Sequence, residues 1–353
     1  MPLRLLSFLL LCLVLPARAQ VADSVALDEV EVTAQRWQPA ERTAQVTSID
    51  AEQVERAGAV SLADVLESHS SAFARRYGPA GLATISLRGT SAGQTAVLLD
   101  GFPIANPQLG QVDGSLVPAF AMGRIDVLSG AGSVWHGSQA VGGVVNVTPR
   151  MARGRLIGVD GEAGAWGERT VRLRAAAGPV LIAAEHASGD VDFGYTLQRP
   201  DGEQHVQRDG AGFERTSILA TARHGSTRGG LLGSISAREL PGPAGRAPQD
   251  EQQDDTSLNA WARHVRQVGG AVVELGAMAG WADLRYRSPG LDIDDTGSTR
   301  TAYVEATYAR PFLSGSVDAG ASLQHAVATH PSLAREASET TGSAWANAAV
   351  SQG

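Results

Sequence analysis

Residues 84–150 read TISLRGTSAGQTAVLLDGFPIANPQLGQVDGSLVPAFAMGRIDVLSGAGSVWHGSQAVGGVVNVTPR. In this segment, short apolar runs of the kind found in strands alternate with turns that contain glycine. The runs are Ile85 to Leu87, Ala96 to Leu99, Ile125 to Leu128 and Val144 to Val147, and the turns are Arg88-Gly89, Asp100-Gly101, Gly130 to Gly132 and Gly137 to Gly143. The pattern predicts a compact, buried, mixed sheet with tight corners.

Two short helices are predicted ahead of this segment, after a strand at Val46 to Asp50. Asp50 is a suitable N-cap for a helix over Ala51 to Ala57. Ser61 is a suitable N-cap for the second helix, and Asp64 stands where a capping box requires an acidic or amide side chain.

The order of these motifs resembles the plug domain of TonB-dependent outer-membrane transporters. An Arg-Gly turn is followed by Leu-Leu-Asp-Gly, by a short helical Pro-Ala-Phe-Ala and by Gly-Ser-x-Ala-x-Gly-Gly-Val-Val-Asn-Val. The resemblance implies an α+β plug domain over residues 45–150. The residues that match the structural motifs of the family are Arg88, Gly89, Asp100, Gly101, Gly137, Gly142, Gly143 and Asn146.

Arg88 is expected at the end of a buried strand, where an unpaired guanidinium would be very costly. The resemblance implies that its partners are carboxylates on the inner wall of a barrel. A local salt bridge to Asp100 or Asp126 is an equal alternative. Asp100-Gly101 itself is expected to be a turn rather than a ligand.

Composition and charge exclude several classes of function. The net charge is −8 and no basic stripe is present, which argues against a nucleic-acid partner. All 29 cationic residues are arginine, so lysine-based covalent catalysis is excluded. Residues 89–93 match the G-x-S-x-G elbow of hydrolases, but the sequence that follows reads as a strand where that motif requires a helix. We therefore predict that the protein is not an enzyme and needs no catalytic cofactor.

The N-terminus has the features of a cleaved signal peptide over residues 1–19. Arg4 precedes an apolar run from Leu5 to Leu15, and Ala17-Arg18-Ala19 fits a signal-peptidase site, with a mature start at Gln20. A membrane anchor is the alternative, but a run of about eleven residues is too short to span a bilayer. The chain is therefore expected to be exported.

Residues 20–44 are predicted to hold a coupling peptide and a linker. Acidic and apolar side chains alternate there in an otherwise unstructured segment, as suits an extended peptide that adds to a sheet edge. An ordinary first strand is the alternative. The segment resembles the TonB box, which implies that the TonB energy-coupling protein is a partner; its residues are Asp28, Glu29, Val30, Glu31, Val32, Thr33 and Ala34.

Residues 151–353 change character to segments with period-two patterning. In Thr301 to Ala309, for example, Val304 and Glu305 fall on opposite faces. Repeated strands with one apolar face and one polar face are typical of a transmembrane β-barrel, which presents lipid outside and a hydrated lumen inside. The strands are predicted at 155–164, 169–177, 180–188, 216–224, 230–238, 257–266, 271–283, 300–309, 316–327 and 343–350.

The connections are predicted to be short at one end of the barrel and long at the other, over 189–215, 239–256, 284–299 and 328–342. A soluble β-sandwich, the alternative, has no reason to place every long loop at one end. The long loops are acidic. One of them resembles a loop of the cobalamin-transporter branch, so Asp190, Asp192, Asp201 and Asp209 are candidate calcium ligands, with solvated acidic loops as the alternative.

The resemblance to TonB-dependent transporters implies active uptake across the outer membrane of a Gram-negative type of cell. The ligand would be scarce and bulky, such as cobalamin or a ferric siderophore. The alternative is a passive or structural outer-membrane protein without working energy coupling. Ten predicted strands cannot close the barrel of about 22 strands typical of plugged transporters, so we also expect a fragment or truncated product that does not transport alone.

Overall fold

The computed structural model describes residues 45–77, 81–130, 137–152, 154–200, 202–208, 210–240, 250–312 and 315–350. The predicted signal peptide, the TonB box and the linker to residue 44 lie outside the described residues. Within these ranges no helix is long and apolar enough to cross a membrane.

The N-terminal part, here called the plug, contains a mixed five-stranded sheet of order β1-β6-β7-β4-β5. Strands β4 and β7 pair in parallel and the other pairs are antiparallel, while β2 and β3 form a separate hairpin. The elements are β1 (Gln45–Asp50), α1 (Ala51–Arg56), α2 (Leu62–His69), β2 (Phe73–Arg76), β3 (Ala83–Ser86), β4 (Thr95–Leu99), β5 (Phe102–Pro103), β6 (Met122–Ser129) and β7 (Gly143–Pro149). The predicted mixed sheet is confirmed.

Both helix starts are confirmed. Asp50 and Gln53 form a capping box at α1, and Ser61 and Asp64 form one at α2. Each box satisfies backbone N–H groups that the first turn of a helix leaves without partners. The predicted helical turn after Pro118 is a single 3₁₀ turn, Ala119–Ala121, which leads directly into β6.

The C-terminal part is one antiparallel sheet of ten strands, here called the wall, in the order β19-β18-β17-β16-β15-β14-β13-β10-β9-β8. All ten predicted barrel strands are present. They are β8 (Leu156–Ala163), β9 (Arg169–Ala177), β10 (Val180–Gly189), β13 (Phe213–His224), β14 (Thr227–Leu240), β15 (Glu251–Val268), β16 (Ala271–Ser288), β17 (Ile293–Phe312), β18 (Gly315–Thr329) and β19 (Ala337–Val350).

The two faces of the wall differ as the period-two pattern predicts. On β17, Tyr303 and Glu305 are buried while Val304 is 52% exposed. The buried face lies against the plug, because wall residues such as Leu219 and Trp261 belong to the same hydrophobic cluster as Phe102 of the plug. The opposite, outward face carries exposed apolar side chains.

All four predicted long loops are wrong in extent. In the region 239–256 the strands reach Leu240 and resume at Glu251, and in the region 328–342 they reach Thr329 and resume at Ala337. The loop predicted over 189–215 contains a hairpin of β11 (Phe193–Arg199) and β12 (Gly202–Arg208) that pairs only with itself. The loop predicted over 284–299 is strand apart from a tight turn around Pro289–Leu291. In this hairpin Asp294 pairs with Arg285 of the neighbouring strand at 2.6 Å, so a charged sequence can continue the ladder.

Candidate functional site: the contact between plug and wall

The Asp100-Gly101 turn joins the plug to the wall. Asp100 has a left-handed backbone with φ of 50°, and its side chain is buried. Its carboxylate accepts a hydrogen bond from Nη2 of Arg228 on β14 at 3.1 Å, and its carbonyl oxygen accepts one from Nε of Arg263 on β15 at 2.7 Å. The predicted turn is therefore also an ionic contact, which the sequence analysis did not expect.

Arg263 is buried, and its positive charge is compensated by several neighbouring groups. It pairs with Glu274 of β16 and, at 2.8 Å, with Glu305 of β17. Its guanidinium also lies over the ring of Phe102 from the plug, 4.3 Å from the ring centroid. A buried cation needs such partners, since its desolvation is otherwise uncompensated. Arg263 therefore links three strands of the wall to the plug.

A second ionic contact involves Arg238 of β14. Its guanidinium lies 2.8 Å from a carboxylate oxygen of Asp113 in the plug and 3.2 Å from one of Asp255 on β15. Nearby, Arg215 of β13 donates to the backbone carbonyls of Ser115 and Val60 in the plug. These arginines hold the long connection between β5 and β6, and the segment between α1 and α2, against the wall.

A third contact lies at helix α1. Glu55 accepts hydrogen bonds from Arg150, at the end of the plug, and from Arg174 of β9, at 2.8 and 2.7 Å. Burial alone would raise the pKa of Glu55, but the hydrogen bonds and charges of Arg174 and Arg150 outweigh it and hold that pKa below its usual value.

A cavity of about 400 Å³ lies between the plug and the wall. The plug lines it with residues of the segment 103–117, and the wall lines it with Leu232, Met278 and Trp281 among others. Polar lining residues include Asn259 and Tyr286. A molecule in this cavity would touch both parts of the chain at once.

Arg88 is placed differently from either prediction. It has a left-handed φ of 54° in the turn after Leu87, it is exposed, and its guanidinium lies close to Gly130. Among the described residues it forms no ion pair with the wall or with Asp100 or Asp126. The strand is buried only as far as Leu87, so the turn directs Arg88 out of the core. The ionic contact to the wall is made by Asp100 instead.

The other motif residues shape the plug. Asn146 accepts a hydrogen bond from the backbone N–H of Gly101 at 2.8 Å and so fixes the Asp100 turn. Gly142 lies against Thr90, and Gly143 lies against the carbonyl of Leu128, so a Cβ at either position would clash. Gly137 begins the 3₁₀ turn Gly137–Ala140, and Gly89 follows Arg88 in its turn.

The calcium prediction stays a prediction. Asp190 and Asp192 lie in the connection after β10, whereas Asp201 and Asp209 lie outside the residues that the structure describes. In the ranges that it does describe, no group of three or more His, Cys, Asp or Glu side chains is arranged to hold a metal ion.

The wall arginines were missed by the sequence analysis. A signal for them exists, because Arg215, Arg238 and Arg263 occupy positions of the period-two pattern that face the buried side of the sheet. Uncharged residues that face the lumen would fit the same pattern equally well, so the pattern alone does not predict charge there. An arginine at such a position predicts a carboxylate or carbonyl partner, but the sequence does not say which one.

Comparison with known proteins defines the class. Residues 38–144 match the family described as TonB-dependent Receptor Plug Domain. The wall matches the partial barrel of such receptors in fold. Over 86% of this chain and 45% of the other, the fold agrees with Pseudomonas aeruginosa FpvA bound to a pyoverdine at a TM-score of 0.61 and 14% identity. The siderophore receptor PiuA from Acinetobacter baumannii agrees at 0.58 and 15% identity, over 81% of this chain and 46% of that one. Residues 38–144 thus match the plug domain of TonB-dependent receptors, and the rest of the chain shares the fold of the partial barrel of such receptors.

The curated relatives that the chain matches include vitamin B12 transporters. The chain is 27% identical over 222 residues to the vitamin B12 transporter BtuB of Photobacterium profundum, which covers 61% of this chain and 36% of the relative. It is 35% identical over 140 residues to the same transporter from Vibrio cholerae, covering 39% of this chain and 23% of the relative. The chain thus spans only about a quarter to a third of the length of these relatives.

Proposed function

We propose that this chain belongs to an active transporter that takes up a bulky ligand, a corrinoid or a ferric siderophore, across the outer membrane. The observation that carries the proposal is the cavity bounded by both plug and wall. A ligand held between two parts of a protein senses any movement of one part relative to the other, so a pull on the plug would change its binding.

The corrinoid is the first ligand to test. The curated relatives named above are vitamin B12 transporters, whereas the receptors compared by structure are named for siderophores or pyoverdines and share only the fold. The apolar residues of the cavity lining, among them Leu232, Met278 and Trp281, suit an apolar part of such a ligand.

Energy coupling is proposed to run through the TonB box at Asp28 to Ala34. The test deletes these residues from the gene that encodes the chain and measures binding and uptake of labelled cobalamin in the producing bacterium. We expect binding to persist and uptake to be lost. The control is a deletion of equal length over residues 35–41, which should leave uptake largely intact.

Two results would contradict the proposal. Unchanged uptake after deletion of the box would favour a passive outer-membrane protein. Absence of cobalamin binding in the unaltered protein, with binding of a ferric siderophore instead, would overturn the corrinoid assignment and leave the transport class intact.

A further inference from the structure

The outward face of the wall carries an apolar band with polar borders. On β17 the exposed positions from Ala302 to Tyr308 are bordered by Arg300 and Arg310. Ten residues at about 3.3 Å each, tilted as barrel strands are, give a height of about 25 Å, which matches the apolar band of outer-membrane barrels. The borders of the band therefore mark the levels of the lipid headgroups.

At the end of the wall with the short turns, one border has an unusual composition. His224, Thr227 and His264 lie side by side on β13, β14 and β15, since the register pairs Thr227 with both histidines. Oγ1 of Thr227 lies 2.9 Å from Nδ1 of His264. Both histidines and Arg266, two residues beyond His264 on the same face, are exposed. We call these four residues the basic rim.

The basic rim is a set of outward hydrogen-bond donors. When the Thr227 hydroxyl donates to Nδ1 of His264, the ring proton resides on Nε2, which then serves as a donor. No hydrogen bond to this Nε2 is found among the described residues. The outward positions described at this border include no Asp or Glu, and Arg310 adds a further cation two strands away from His264. The surface is therefore complementary to an anion.

We propose that the basic rim binds the phosphate of a phospholipid headgroup in the leaflet at the short-turn end. The inference rests on the proposed outer-membrane placement and goes beyond transport. The occupant follows from continuity with the apolar band, because a lipid whose chains cover Ala260 and Ala262 brings its phosphate to the level of His264. Only 5% of the residues are aromatic, and Trp or Tyr usually marks this level. Tyr308 and Phe312 are exposed near this border on β17, and on β13 to β15 histidine and threonine take that place.

The opposite border provides an internal contrast. His186 and Thr216 form the same kind of cross-strand pair there, with Nδ1 and Oγ1 3.0 Å apart. However, Glu214 is exposed on the same face two residues from Thr216. A carboxylate at that point repels phosphate, so the proposal does not extend to His186.

The test measures the distance between histidine rings and lipid phosphorus directly. The full chain, labelled with ¹⁵N-histidine, is placed in bilayers of phosphatidylethanolamine and phosphatidylglycerol, and dephasing of the ring nitrogens by ³¹P is recorded by solid-state NMR. We expect two dephased ring signals. One should be lost in His224→Gln and the other in His264→Gln, whereas His186→Gln should remove neither.

Each other outcome contradicts one part of the proposal. One outcome is that magnetisation passes from lipid chains to the methyl groups of Leu258 or Val304 while the rings of His224 and His264 show no dephasing. This outcome refutes phosphate binding at the basic rim and leaves the membrane placement intact. Absence of both refutes the placement as well. Equal dephasing by inorganic phosphate in bilayers of a phosphate-free glycolipid would refute the lipid as the occupant. The unaltered protein alone decides the outcome if a variant fails to fold.

Discussion

At the scale of single residues, Arg263 shows why the plug and the wall are energetically coupled. Its cation balances Glu274 and Glu305 of the wall while its Nε holds a backbone carbonyl of the plug. Removing one member of a buried ionic group leaves the others desolvated and uncompensated, which costs more than the group contributes as a whole. The energetic coupling between plug and wall therefore requires every charged group around Arg263 to be present.

Replacement of Arg263 by alanine should be strongly destabilising. We expect the free energy of unfolding to fall by about 3–5 kcal/mol, as for other broken buried ion pairs. The measurement is denaturant unfolding followed by tryptophan fluorescence. Arg300→Ala, an exposed arginine on the outward face, is the control and should change stability by less than about 0.5 kcal/mol. Equal losses in the two variants would contradict the assignment of Arg263.

Gly101 is constrained both by its backbone and by its neighbour. Its φ is +86°, and a Cβ at this position would clash with the guanidinium of Arg263. Gly101→Ala should therefore destabilise more than Gly110→Ala, which has a φ of +64° but open space around it. Gly110→Ala is the control, and we expect it to lower the free energy of unfolding by about 1 kcal/mol because of its left-handed backbone alone. Unfolding of both variants gives the difference, and a difference near zero would show that Arg263 moves aside without cost.

At the scale of elements, the sequence predicts what depends on neighbours along the chain. The capping boxes at Asp50 and Ser61 and the period-two strands of the wall are local patterns, and all of them were found. The partners of Asp100 could not be predicted in this way, because Arg228 and Arg263 are distant in the chain and any inward arginine fits the pattern equally well. The strand extension around Pro289 was missed because charge was taken to indicate a loop, whereas the cross-strand pair of Arg285 and Asp294 shows that charged residues can lie in the ladder.

Helix α1 should make the stability of the chain depend on pH at the acid side. The pKa of Glu55 is held below its usual value of 4.5 in the folded state. Its contribution is therefore fully present above the unfolded pKa and is lost as the pH falls through the folded pKa. We expect Glu55→Gln to weaken the wild-type decrease in stability below about pH 4.5. Glu52→Gln, which removes an exposed partner of Arg56, is the control and should leave the pH profile almost unchanged. Unfolding midpoints across the acid range would reveal the difference.

At the scale of the whole molecule, plug and wall share one hydrophobic cluster. Phe102 of the plug packs edge-on against Tyr303 of β17, and the cluster continues to Trp261 and Met278. The plug core therefore lacks part of its cover without the wall. In the proposed transport cycle, any movement of the plug must open these apolar contacts and the arginine contacts together, which explains why an external energy source would be needed.

The covalent connection between the two parts should be dispensable for their association. A protease site inserted between Met151 and Arg155 would separate plug from wall in sequence, while the contacts of Arg215, Arg238 and Arg263 remain. We expect the two pieces to elute together after cleavage in mild detergent, because dissociation would expose both apolar surface and buried charge. The same cleavage in a chain that also carries Asp100→Ala and Asp113→Ala should release the plug, since Arg228 and Arg238 then lose their plug carboxylates. Arg263 keeps its contacts with the carbonyl of residue 100 and with the Phe102 ring, but it no longer has a plug carboxylate nearby. Cleaved chains with Asp160→Ala, which removes a partner of Arg174 within the wall itself, serve as the control and should stay associated.

Release of the plug from the otherwise unaltered chain would show that the linker, rather than the packed and ionic interface, holds the two parts together.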